Sequence, residues 1–246
     1  MTLASRLQQL LLPGRIIGVQ VAFSRAAVLV EAEDGIRCGL ASTHTDQNPL
    51  VQNPIARQTE HFQDLETSEL AALCESDNVN EAAIGYAAIN ALLPRTPERW
   101  QALRATDYLF QNGVGINVAL IGRFPFQDRL KPLVKQLWIL ETNLSEEDEQ
   151  TRADFDNLQQ ADLVALPATT LIDKTFDRWM SHCRQDATVI MIGTSTTLSP
   201  VLYDFGVQVL SGAIVDDPQK TFLGIGQGLS MHHLCETGWV QLITNH

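Results

Sequence analysis

From Asn117 onward, short and almost uninterrupted apolar runs alternate with polar, helix-prone segments, and no other feature constrains the fold as tightly. The runs are Asn117–Ile121 (NVALI), Leu137–Leu140 (LWIL), Asp162–Leu166 (DLVAL), Thr188–Ile192 (TVIMI), Val207–Leu210 (VQVL) and Trp239–Ile243 (WVQLI). A strand with one wet face alternates apolar and polar residues. A strand apolar on both faces needs cover on both sides, which a parallel sheet between helices provides. The segments Gln127–Gln136, Glu146–Gln160 and Thr175–Gln185 are the predicted helices. Residues 112–246 are thus expected to form a Rossmann-like α/β domain with a mostly parallel sheet.

The N-terminal part reads differently. Ile16–Phe23, Ala26–Glu31 and Ile36–Ala41 are β-prone and separated at Ser24-Arg25 and Glu33-Asp34-Gly35, short connections that predict an antiparallel meander. The polar stretch Ser42–Gln63, with Asn48-Pro49 and Asn53-Pro54, reads as a long surface loop. Two helices follow: Thr67–Glu75, with Thr67 as its expected N-cap, and Asn80–Leu93, closed by Pro94 and Pro97. Residues 1–95 are expected to be a small α+β domain, with Pro94–Gly115 as the linker to the second. The first residues predict an amphipathic helix rather than a signal peptide.

Charge narrows the function classes. Against 17 Lys and Arg stand 29 Asp and Glu, a net charge of −12, which argues against nucleic acid or an anionic membrane surface as partner. No apolar run approaches the roughly 18 residues of a membrane span. The cysteines, Cys38, Cys74, Cys183 and Cys235, are scattered without a CxxC, so neither a disulfide framework nor a zinc ribbon is expected. The expected compartment is the cytoplasm. A small-molecule or metal ligand is the expected partner, and a homo-oligomer is compatible with the sequence.

In an open α/β sheet, ligands bind beyond the carboxyl ends of the strands. Gly122-Arg123-Phe124 follows the first run, where a glycine lets backbone approach a ligand; the structural alternative is a tight turn. Glu141 follows the second, 19 residues past Gly122, about where a ribose-binding carboxylate stands in nucleotide-binding domains; the alternative is a solvated charge. Thr169-Thr170 follows the third. Gly193–Pro200 (GTSTTLSP) follows the fourth and is the most suggestive, because Ser195, Thr196 and three further hydroxyls exceed what one helix cap uses. Gly212 and Asp216 follow the fifth run. The glycine-rich Gly224–Gly228 precedes the last one, and chain flexibility alone would explain it.

Metal ligation and nucleophilic catalysis are weakly supported. His232-His233 with Cys235, His182-Cys183, and His44 with Cys38 are candidate ligands, but adjacent helical residues point about 100° apart and rarely share one ion. There is no HExxH, and no G-x-S-x-G elbow that would give Ser195 a histidine partner.

Four stretches taken together resemble a known family. They are IGYAAINALL (Ile84–Leu93), VALIGRFPF (Val118–Phe126), ADLVALPATTLIDKTFDRWM (Ala161–Met180) and VIMIGTSTTLSPVLYDFGVQVLSGAIVDDP (Val189–Pro218). In this order they are similar to the heavy-metal chelation proteins, in which a domain like the N-terminal domain of enolase precedes a Rossmann-like domain. The resemblance implies a site in the interdomain cleft formed by Asn90, Gly122 to Phe124, Thr169-Thr170 and Gly193–Pro200. This chain departs from the family pattern at Pro94, where a second Asn is common, and at Thr194, where Pro is common. Asn90 is singled out by its own chemistry as well, since an amide is a poor choice inside an apolar helix.

Two functions follow. The leading one is binding of a metal ion or metal chelate, or another oxygen-rich small molecule, in the cleft; hydroxyl and amide donors suit a chelate better than a bare soft metal. The competing one is an enzyme using a nucleotide-like cofactor such as S-adenosylmethionine, a transferase or lyase, resting on Gly122 and Glu141. Whether any reaction is catalysed stays open at this point.

Overall fold

The computed structural model describes residues 1–22, 24–43, 62–142 and 149–245. Most of the expected loop at Ser42–Gln63 and the start of the expected helix at Glu146 lie outside these. After a short helix, α1 (Leu3–Gln8), three strands follow: β1 (Gly14–Ala22), β2 (Arg25–Ala32) and β3 (Gly35–Ser42). They form the antiparallel sheet β1-β2-β3 that the meander pattern predicts. Next come α2 (Thr67–Ala72), one 3-10 turn, and α3 (Val79–Leu92). The N-cap of α2 is Glu66 rather than Thr67; Glu69 Oε2 accepts its backbone N–H at 3.0 Å. Asn78 caps α3 by accepting from the N–H groups of Asn80 and Glu81.

Residues 94–115 are not a plain linker. They contain β4 (Trp100–Gln101) and α4 (Ala105–Asn112), and β4 joins the larger sheet. The chain then runs β5 (Asn117–Ile121), α5 (Gln127–Leu130), β6 (Gln136–Leu140), α6 (Glu149–Leu158), β7 (Leu163–Pro167), α7 (Phe176–His182), β8 (Thr188–Ile192), β9 (Val209–Val215), α8 (Pro218–Gly226), α9 (Met231–Glu236) and β10 (Val240–Asn245). The helix expected over Gln127–Gln136 stops at Leu130. Pro132 lacks an amide proton and its ring clashes with the preceding turn. The glycines at Gly224 and Gly226 are helical, at the end of α8, instead of forming a flexible loop.

The larger sheet has the order β4-β10-β9-β8-β7-β5-β6. Strands β5 to β9 pair in parallel, and β10 is antiparallel to both β9 and β4. The chain is therefore a mixed α/β protein with a seven-stranded, mostly parallel sheet and a three-stranded antiparallel one. Strand order reverses between β5 and β7, and the parallel strands all end at one edge. Among the described residues no helix is long and apolar enough to cross a membrane.

Both faces of the small sheet are covered. Ala26, Val28 and Val30 of β2 pack with α3, whereas Ala27 and Leu29 meet Val215, Ile225 and Leu234 on the other side. β3 thereby lies against β9, and α3 brings Asn90 to the same seam.

At the opposite edge of the large sheet, Asp162 holds the start of β5. Its carboxylate accepts from Asn117 N–H at 2.9 Å and from Arg184 Nη2 at 2.8 Å. The Arg184 hydrogen bond, then the Asn117 amide, lowers its pKa. A depressed folded-state value gives stability that is present above the unfolded aspartate value, near 3.9, and lost as pH falls through the folded one. Lowering the pH below about 4 should therefore reduce the urea midpoint more steeply in the wild type than in Asp162→Asn. Parallel pH profiles would show that this pair does not stabilise the fold.

Candidate cleft between the two sheets

A small open cavity lies where β3 and α3 face the larger sheet. Cys38–Leu40, Asn90, Arg95, Trp100, Thr196 and Ala213–Val215 line it. Each arrives for a local reason. Gly39 has no side chain, so the α3 backbone lies directly on β3. Pro94 ends α3, and the chain turns so that Arg95 stands exposed at the mouth, with Nη2 donating to Val215 O at 3.3 Å. Trp100 is held by its pairing with Asn245. Thr196 comes from the turn after β8, closed by Thr196 N–H donating to Gly193 O at 3.0 Å.

The polar groups here are incompletely bonded. Asn90 Nδ2 donates to Leu40 O at 2.9 Å, but its Oδ1 is buried without a protein partner. Trp100 and Thr196 line the same cavity, and Trp100 Nε1 and Thr196 Oγ1 are buried and unpartnered too. So are Thr96 Oγ1, next to Arg95, and both amide atoms of Asn245, which is fully buried beside Trp100. Buried polar groups are nearly always hydrogen-bonded, so a cluster of orphans around one cavity marks a place where water or a polar ligand completes the bonding.

The hydroxyl loop divides its roles. Ser195 Oγ accepts Ser42 N–H at 2.7 Å, and Thr194 Oγ1 lies 2.9 Å from Ser42 Oγ, so these two fasten the loop to the end of β3. Ser199 caps the 3-10 segment after it by accepting from Val201 N–H at 3.4 Å. Thr196 and Thr197 are buried with free hydroxyls. Gly212, on β9, has Thr196 O so close that a Cβ would come within 3.1 Å of it. Asn90 and Thr196 thus meet on the lining of the cleft, and Gly212 packs against the Thr196 backbone without lining it.

The other expected residues lie elsewhere along the strand ends. Gly122 takes φ +82° and donates its N–H to Leu140 O at 2.8 Å. Exposed Arg123 and Glu141 stand 3.6 Å apart as an ion pair, and Phe124 stacks on Phe126. Gly193, at φ +130°, adjoins Ala168 of the β7 loop. Thr170 is buried and spends its hydroxyl on Pro167 O at 2.8 Å, beside Thr169 in a 3-10 turn. Asp216 is exposed just beyond β9, and its charge acts on Arg95. Of these, none lines the cavity that holds Asn90 and Thr196. Sequence reasoning missed Trp100 and Asn245, which the pairing of β4 with β10 brings together, and Arg95, which the turn after α3 places at the mouth.

A bare heavy-metal ion does not fit this donor set. Cys38 is the sulfur at the cleft; it is buried, and burial pushes its thiol up to about 12, far from a metal-binding thiolate. Among the described residues no three of His, Cys, Asp and Glu gather. His232 pairs with Glu236 at 3.1 Å, His182 stacks on Phe155, and His44 lies outside the described residues. The groups that do meet are amide, hydroxyl, indole and guanidinium, which recognise oxygens.

Two crystal structures of proteins of unknown function from the DUF364 family share the fold. The one from Desulfitobacterium hafniense DCB-2 is 21% identical, with TM-score 0.73, covering 98% of this chain and 96% of that one. The one from Pyrococcus horikoshii is 20% identical, with TM-score 0.79, covering 98% and 97%. No curated protein matches the chain. The sequence model of DUF4213, described as "Putative heavy-metal chelation", matches residues 13–93. That of DUF364, with the same description, matches residues 104–244, more than half of the chain, and the protein belongs to the DUF364 family.

Proposed function

We propose that the protein binds a small oxygen-rich molecule, including a metal already held by a chelator, in the cleft between α3 and β9. The single observation that carries this is the orphaned set Asn90 Oδ1, Trp100 Nε1 and Thr196 Oγ1 on one cavity. The family description names heavy-metal chelation; the Trp100 N–H and the Thr196 hydroxyl suit a chelate's outer oxygens rather than the metal itself, and Asn90 Oδ1 suits an O–H or N–H of the same ligand.

Titration calorimetry with Fe, Co, Ni, Cu and Zn, each free and as its nitrilotriacetate complex, tests the reading. Chelates should bind and bare ions should bind more weakly. Thr196→Val should weaken chelate binding by about 0.5–1.5 kcal/mol, the net worth of one hydrogen bond. Failure of every complex to bind would sink the reading.

A second reading has its own observation. Gly122 stands at positive φ beside the point where strand order reverses, with Glu141 at the end of the neighbouring strand. That is where nucleotide-like cofactors sit in doubly wound sheets. A thermal-shift series with S-adenosylmethionine and nucleotides decides between the two. Saturable stabilisation that disappears in Glu141→Ala would favour an enzyme, and a flat series would remove it.

A further inference from the structure

We infer that the cleft selects a 2-hydroxycarboxylate: one oxyanion, with a hydroxyl on the adjacent carbon. The inference rests on the proposed role of the cleft as a binding site and deepens it to a ligand class.

The polarity of the orphaned groups defines the ligand they can take. Asn90 cannot be turned over. Its Nδ2 donates to Leu40 O, and a flip would set two oxygens against each other. Its free atom is therefore Oδ1, an acceptor, which requires an N–H or O–H from the ligand. Trp100 offers only a donor, its indole N–H. Arg95 is a donor only, charged at neutral pH, and one nitrogen alone is engaged, on Val215 O. Among the described residues no carboxylate pairs with it within salt-bridge distance. Thr196, buried, can serve either way.

Two unspent donors, one of them cationic, thus share a cavity with one fixed acceptor. Two fixed donors match a carboxylate, and charge assistance makes the Arg95 contact the stronger. The fixed acceptor matches a hydroxyl beside that carboxylate. The net charge of −12 disfavours anions at long range, so selection falls to these local groups. A carboxylate with a neighbouring hydroxyl is also a pair of hard oxygen donors for a metal, which links the ligand class to a chelate.

The test uses lactate and propionate, which differ by that one hydroxyl. The readout is the Trp100 indole N–H resonance of the ¹⁵N-labelled full chain, assigned with Trp100→Phe. Lactate should shift this resonance saturably. Propionate should bind about tenfold more weakly, because it leaves Asn90 Oδ1 without a partner. Arg95→Met, at an exposed position, should weaken lactate at least tenfold. Equal affinities for the two acids, or lactate binding that survives Arg95→Met, would overturn the inference. If neither acid binds while a metal–nitrilotriacetate complex does, the ligand class is wrong and the cleft reading stands. If nothing binds at all, both fall.

Discussion

Gly39→Ala is expected to cost more than about 3 kcal/mol, above the usual overpacking range of about 1–3. A Cβ at Gly39 would overlap the carbonyl oxygen of Ala87 and the amide nitrogen of Ala91, and would lie 2.9 Å from the carbonyl carbon of Asn90. All three belong to the α3 backbone, which is pinned in its own hydrogen bonds and cannot swing aside as a side chain would. The whole helix must lift from β3. The movement would also part Asn90 Nδ2 from Leu40 O and deform the cleft. Gly18 is the control. A Cβ there meets only the ring of Phe222, at 2.7 Å, and a ring can turn. For a chain of this length, thermal denaturation should fall by about 6–12 °C for Gly39→Ala. Gly18→Ala should fall by clearly less. Equal midpoints for the two variants would show that α3 does not need contact with bare β3 backbone.

This contact also shows what the sequence could and could not reveal. The apolar runs at Asn117–Ile121 and Thr188–Ile192 match β5 and β8 residue for residue, because burial on both faces leaves no other residue type usable. β9 begins at Val209 and extends to Val215, later than the run at Val207–Leu210, through Ser211 and Gly212, which carry no strand signal. β4 is two residues long and exists only because β10 offers an edge, so no local pattern announces it. Trp100 and Asn245 were invisible as a pair for that reason. Asn90 and Thr196 were legible as polar residues out of place in apolar surroundings. Their meeting, across 106 positions, depends on the docking of the two sheets. For Ser195 the alternatives read from sequence were a cap or a ligand group. Its partner, Ser42 N–H, lies at the end of a strand in the other sheet.

Ser195→Ala and Thr196→Val separate the fastening role of the hydroxyl loop from its role in the cleft. Ser195 is 1% exposed, and its Oγ satisfies Ser42 N–H at 2.7 Å. Alanine leaves that half-buried amide without an acceptor, at a cost of about 1–3 kcal/mol. It also weakens the tie between the end of β3 and the β8 loop, where the Thr194–Ser42 hydroxyl contact then works alone. Thr196 is buried with a hydroxyl that bonds to nothing in the protein. Valine has the same shape without the polar atom, so the unliganded protein should keep its stability or gain slightly. Urea denaturation of the two variants should thus move in different directions, with Ser195→Ala well below wild type and Thr196→Val at or above it. Calorimetry should show the loss of affinity in Thr196→Val. The sign of the Thr196→Val effect is the decisive measurement. An unliganded Thr196→Val protein destabilised by more than about 1 kcal/mol would mean that the hydroxyl already has a structural partner. The cleft would then lose one of the three unpartnered groups that define it.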